Sequence, residues 1–221
     1  MNPIENKIIA DAISPARLAP YLRACGGDLE VALRLYTWNK EIVGAFSGSL
    51  SELEVVLRNA MDRRLTSHFG GRDWWASPRI RLAPHARDKI TAVAMPKAGA
   101  IPTADDVVAG LTFGFWESLL GRKHNYESHL WWPALRDAFP GYSGVRGPLH
   151  ADVYNLRLFR NRISHCEPIH GRHLEQDNRT LLKILDYISP EAARCVARFS
   201  RVQEVLDRRA SVLDGSLTPR F

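Results

Sequence analysis

The chain of 221 residues is 45% hydrophobic and 24% charged, a balance ordinary for one soluble globular domain with a full core. Its net charge of +6 and pI near 9.5, carried mostly by arginine, favour an acidic partner such as nucleic acid. Cys25, Cys166 and Cys195 are too few and too scattered for a disulfide framework, no run approaches the ~18 apolar residues of a membrane span, and the amino terminus carries no cleavage-site pattern, so a reduced, cytoplasmic protein without a membrane anchor is expected.

Taken in order, the predicted elements are helices. Ser14-Pro15 opens a short one that ends near Gly26-Gly27. Asp28 caps the next, which places Val31, Leu35, Trp38 and Ile42 at helical steps and loosens at Gly44 and Gly48. Ser51 and Glu54 read as a capping-box pair for a third helix with Leu53, Val56, Leu57, Ala60 and Leu65, stopped by Gly70-Gly71. A loop over 73–84, a helix over 85–95 and a loop over 96–102 follow. Thr103, with Asp105 and Asp106 in the first turn, starts a helix running through Phe113 and Trp116 to Leu120, bent at Gly110 and Gly114. A helix over 125–139 is interrupted near Pro133. Gly147-Pro148 starts a helix that Pro168 stops. Helices over 172–188 and 190–213 complete the set. No strand-like alternation, repeat or low-complexity tract occurs, and the fold class is all-α.

The helix after Gly147 carries the chemistry. Leu149, Val153, Leu156, Phe159 and Ile163 form its apolar stripe, and Arg160 falls inside that stripe, where a charge needs a partner or a task. A second face runs Tyr154, Leu158, Asn161, His165. Asn161 and His165 are an i,i+4 pair, so the amide can orient the imidazole. His165 is expected in the last turn, where the helix dipole favours its protonated form. On an ideal helix Arg160 lies about 140° from His165, a gap that its long stem narrows or that a second copy of the helix bridges. Arg63 and His68 repeat the arginine–histidine spacing, with Arg64 in place of the asparagine.

The segment Arg160-Asn161-Arg162-Ile163-Ser164-His165-Cys166-Glu167-Pro168-Ile169 resembles the HEPN signature of the Abi-like (abortive infection) proteins of bacteria: arginine, asparagine, three variable residues, histidine, then often His-Glu-Pro-Ile. Leu35-Tyr36-Thr37-Trp38-Asn39 and Leu53-Glu54-Val55-Val56-Leu57-Arg58-Asn59 are similar to that family's amino-terminal half. Leu111-Thr112-Phe113-Gly114-Phe115-Trp116, with Tyr126, Leu130-Trp131 and Phe139-Pro140, is similar to its middle. The resemblance spans roughly 14–188. Cys166 stands where the family often has a second histidine, leaving His165 as the one imidazole of the motif.

The resemblance implies a single HEPN-type helical bundle with additional helices: amino-terminal helices over 14–70, a core over 103–188 carrying the motif, and a carboxy-terminal helix over 190–213. It also implies a metal-independent endoribonuclease, a toxin of phage defence, with Arg160, Asn161 and His165 as catalytic residues. Chemistry agrees: RNA carries its own nucleophile, the 2′-hydroxyl. His165 moves protons, Arg160 holds charge on the phosphorus oxygens, Asn161 orients, and the products are a 2′,3′-cyclic phosphate and a 5′-hydroxyl. One histidine per chain calls for a homodimer with a composite site, the arrangement common in the family. RNA is the partner, and an antitoxin protein or RNA is a further one. Arg157, Arg162 and Tyr154 are candidate RNA contacts because they share the helix. Arg58-Asn59 echoes Arg160-Asn161 and is a supporting pair. The alternative is a non-catalytic RNA-binding or partner-binding helical module.

No cofactor is called for. Gly121-Arg122-Lys123 lacks the glycine spacing of a phosphate-binding loop, and neither H-E-x-x-H nor G-x-S-x-G occurs. His165, Cys166, His170 and His173 match no familiar zinc-ligand spacing. The pairs Trp74-Trp75 and Trp131-Trp132 read as core packing or a subunit contact rather than base-stacking platforms.

Overall fold

The computed structural model describes residues 3–96 and 100–221, so Lys97 to Gly99 of the expected 96–102 loop lie outside the described residues. Among those described the fold is all-α, with no strand. The chain divides into two compact units. The first comprises Met1–Ser49, Arg160–Arg179 and Phe199–Phe221, and the second Leu50–Phe159 and Thr180–Arg198.

In the first unit, α1 (Pro3–Ile13) precedes α2 (Pro15–Ala24), and the Ser14 hydroxyl accepts the Arg17 amide at 3.4 Å as the N-cap of α2. Asp28 caps α3 (Leu29–Phe69) as expected, its Oδ1 accepting the amides of Glu30 and Val31 at 2.9 and 3.1 Å. The expected loosening at Gly44 and Gly48, with a separate helix after it, does not occur: α3 is one helix of 41 residues. Two interior glycines cost it about 1 kcal/mol each. Against that, Ile42, Phe46, Leu50, Leu53 and Leu57 are all buried at unbroken helical spacing. Ser51 and Glu54 therefore lie inside a helix and cap nothing at its start. Gly70, at φ +84°, ends it as the sequence indicates.

The single helix expected over 190–213 is three: α9 (Pro190–Phe199), α10 (Val202–Asp207) and α11 (Arg209–Leu213). The Ser200 hydroxyl accepts the Val202 amide at 3.3 Å, which starts α10 afresh. The Val205 carbonyl accepts the Trp38 indole N–H at 3.0 Å, and Arg208 turns to the buried carboxylate of Glu41 at 3.0 Å. These side-chain demands break the run into short pieces.

In the second unit, α3 continues from Leu50 and is followed by a 3-10 turn at Trp74–Ala76 and by α4 (Pro84–Ala94). Thr103 and Asp106 form a capping box for α5 (Ala104–Gly110). The expected bent helix is two separate ones, because Leu111 is extended (φ −77°, ψ 124°) before α6 (Phe113–Leu119). The Glu54 carboxylate accepts the Phe113 amide at 2.9 Å, so the residue read as capping a separate helix from Ser51 holds the start of α6 instead.

The 125–139 segment forms no α-helix. A 3-10 turn at Lys123–Asn125, a π-helical turn at Glu127–Trp131 and a 3-10 turn at Leu135–Ala138 replace it. His124 and Asn125 sit at positive φ (60° and 57°), where a right-handed helix cannot continue. Trp74, Trp116 and Trp131 are buried, and Asp62 accepts the Trp74 indole N–H at 2.8 Å. Trp132 is exposed, with the Arg136 guanidinium 5.2 Å over its ring. Helix α7 (Arg146–Ser164) carries the second unit's chain into the first at Arg160, and α8 (Leu174–Ile188) returns it at Thr180.

Candidate functional site

Helix α7 is built as the spacing predicts: Leu149, Val153, Leu156, Phe159 and Ile163 are buried. Arg160, within that stripe, is half-buried, as is Asn161, while His165 is exposed. All three belong to the first unit.

The end of α7 is a Schellman motif and comes earlier than Pro168 suggests. The Glu167 amide donates to the Arg162 carbonyl at 2.8 Å and the Cys166 amide to the Ile163 carbonyl at 3.0 Å. Cys166 takes the left-handed position (φ 54°) that glycine usually holds. His165 is thus the C-cap residue itself, its amide donating to the Asn161 carbonyl at 2.9 Å. A hydrophobic contact often closes this motif; here Arg162 and Glu167 approach to 3.5 Å as an ion pair. Arg162 also donates to the Pro168 carbonyl at 2.8 Å. That candidate RNA contact therefore buttresses the turn behind His165.

Asn39 holds the far side of the turn. It is 2% exposed, and its Oδ1 accepts the amides of Ile169 and His170 at 2.9 and 3.0 Å. His170 stacks on Tyr21 at 4.8 Å. Burial, then the Arg209 guanidinium, holds the His170 imidazole below its ordinary pKa, and burial pushes the Tyr21 phenol up to about 12. His170 is packed in this way, while His165 and His173 are exposed. Among the described residues no group of three or more His, Cys, Asp or Glu is placed to hold a metal ion.

Tyr154 and Arg157 lie in the second unit, on α7. The Arg157 guanidinium sits 5.0 Å over the ring of exposed Tyr154, and its Nε is 3.0 Å from Glu117 Oε2. Glu117 Oε1 is 2.6 Å from His150 Nε2. Arg58 and Asn59, also in the second unit, bond to each other at 3.3 Å and line a cleft of about 370 Å³ with Asp62, Arg63 and Arg72. There Asp62 pairs with Arg72 at 3.3 Å. Arg160, Asn161 and Arg162 lie near the end of α7, and His165 is the residue that follows it. Within the second unit, Tyr154 meets Arg157 and Arg58 bonds to Asn59.

Three residues of these surroundings escaped sequence reasoning. Asn39 and His150 carry no spacing signal. Glu117 does: it is a carboxylate set between the aromatic run Phe113-Gly114-Phe115-Trp116 and Leu119-Leu120, the same kind of anomaly that singled out Arg160.

Comparison of the chain with protein-family models, curated proteins and solved structures gives no match. Among the described residues no helix is long and apolar enough to cross a membrane.

Proposed function

We propose that the chain is a metal-independent endoribonuclease of the HEPN type, acting in the cytoplasm as a growth-arresting toxin of phage defence. The observation that carries this reading is the end of α7: an exposed imidazole, His165, on a turn fixed by the Schellman bonds and by Asn39, one turn beyond Asn161 and Arg160. Such a turn presents a proton carrier at a set position, and rigidity of that kind is what acid–base catalysis needs.

The 2′-hydroxyl of the substrate attacks the adjacent phosphorus. His165 carries the proton removed from that hydroxyl or delivered to the departing 5′-oxygen. Arg160 neutralises the charge that grows on the non-bridging oxygens, and Asn161 orients the imidazole or a phosphate oxygen. Both proton transfers want a carrier, and each chain offers one in the motif. A two-fold pairing of chains supplies the second His165 and makes the site composite.

The test is cleavage of RNA in excess chelator by the wild type, Arg160→Ala and His165→Ala. The His165 variant should lose about 10²–10⁴-fold in rate and the Arg160 variant about 10²–10³-fold. A substrate with 2′-deoxyribose at the cut site should remain intact. Equal cleavage by all three proteins ends the enzyme reading and leaves the non-catalytic RNA-binding module. Cleavage by a species that light scattering shows to be monomeric ends the composite site.

A further inference from the structure

Around Glu117 in the second unit, α6 and α7 build a second cluster. The Glu117 side chain is 9% exposed, and its two oxygens meet different side chains: Oε1 is 2.6 Å from His150 Nε2 and Oε2 is 3.0 Å from Arg157 Nε. An ionised carboxylate only accepts, so Nε2 of His150 carries the hydrogen and Nδ1 is the free nitrogen. His150, Tyr154 and Arg157 follow at i, i+4 and i+7, one face of α7. The Tyr154 ring lies 6.2 Å from the imidazole and 5.0 Å from the guanidinium carbon, and it is 41% exposed.

A purely structural ion triad closes its hydrogen-bonding edges, and an apolar replacement of similar volume would hold two helices together as well. This triad is left open. Among the described residues no acceptor meets the terminal nitrogens of Arg157 and no partner meets His150 Nδ1, yet these atoms are not sealed from solvent. The side chains of His150 and Arg157 keep 24% and 22% of their surface. One buried carboxylate thus holds an imidazole and a guanidinium, with the terminal nitrogens of Arg157 and Nδ1 of His150 outward, beside an aromatic face.

The geometry points to a nucleotide subsite on α7, in which Arg157 receives a phosphate of single-stranded RNA, Tyr154 stacks the neighbouring base, His150 borders the two, and Glu117 positions both Arg157 and His150. A fixed guanidinium suits a phosphodiester, and an exposed ring offers the stacking surface that single strands use. The choice of RNA as occupant rests on the reading proposed above; the subsite itself is a binding device and takes part in no bond cleavage.

The experiment is fluorescence anisotropy with a labelled 2′-O-methyl RNA 12-mer, which lacks the attacking hydroxyl, so binding is read apart from cleavage. Tyr154→Ala should weaken binding by roughly 5- to 150-fold, the range of one lost base stack, and Tyr154→Phe should restore it. His150→Gln should weaken binding, Arg157→Gln should weaken it and lower its dependence on salt, and Arg157→Lys, which keeps the charge, should keep that dependence and lose only the forked contact. A uridine photo-crosslinker should attach to Tyr154 in the wild type. Unchanged affinity in Tyr154→Ala, a protein altered only at an exposed side chain, overturns the subsite. So does competition by inorganic phosphate at the same concentration as the oligonucleotide, which marks a simple anion site. If no RNA is cleaved but Tyr154→Ala still loses binding, the subsite stands and the nuclease reading falls. If Arg160→Ala abolishes cleavage while Tyr154→Ala binds normally, the reverse holds.

Discussion

Asn39 and Ile169 are joined by a bond of 2.9 Å from the Ile169 amide to the Asn39 side-chain oxygen, across 130 residues of sequence. The same oxygen takes the His170 amide. Asn39→Ala leaves both donors without their acceptor, one of them buried. We expect a loss of about 2–4 kcal/mol in stability, measured by urea unfolding, while Asn39→Asp, which keeps the acceptor, retains most of it. RNA cleavage by folded Asn39→Ala should fall as well, since the turn behind His165 loses its anchor.

Cys166 occupies a left-handed backbone position at φ 54°. A side chain there costs about 1–2 kcal/mol, part of which glycine returns through its larger unfolded-state entropy. Cys166→Gly should therefore stabilise the protein by about 1 kcal/mol and raise the thermal midpoint by roughly 2–4 °C. Cys166→Val, branched at Cβ, should do the opposite.

Gly44 and Gly48 are exposed in the interior of α3, and a Cβ at either would meet nothing within 4 Å. Each alanine substitution should add about 1 kcal/mol, additively, as read by denaturant midpoints. A loss of stability on either substitution would contradict an unbroken α3.

His170 is neutral and packed against Tyr21, its folded pKa held below 6.5 by burial and by Arg209. The unfolded chain binds a proton at that ring more readily than the native one does. The stability tied to the neutral ring is whole above pH 6.5 and drains away as the pH falls toward the folded value. Thermal midpoints at pH 7.5 and 5.5 should separate more in the wild type than in His170→Gln. An equal separation would show that the ring does not sense its burial.

Local signals were legible wherever the residues that make an element are neighbours in sequence. Asp28 and Thr103 cap helices as their spacing indicates, and the stripe from Leu149 to Ile163 is buried. The same local signals misled where a distant partner decided the outcome. Ser51 and Glu54 have capping-box spacing, yet Glu54 serves Phe113, 59 residues away. The 190–213 helix is broken by Trp38 and Glu41, which no reading of that segment alone includes. The candidate site divides the same way. Arg160, Asn161 and His165 share one helix end and could be assembled from spacing. Asn39 and the His150–Glu117 contact, 33 residues apart, exist only after the chain has closed on itself.

Helix α6 has only seven residues, and its first amide is held by a carboxylate from the middle of α3. A helix this short does not persist by itself in water. It becomes ordered when the long helix is already in place to receive it, and it carries Glu117 with it. The Glu117 side of the His150–Arg157 surface therefore depends on tertiary closure. In hydrogen-exchange experiments its protection should vanish together with that of the Leu50–Phe69 stretch, long before the rest of the molecule opens, in any variant that removes the Glu54 carboxylate.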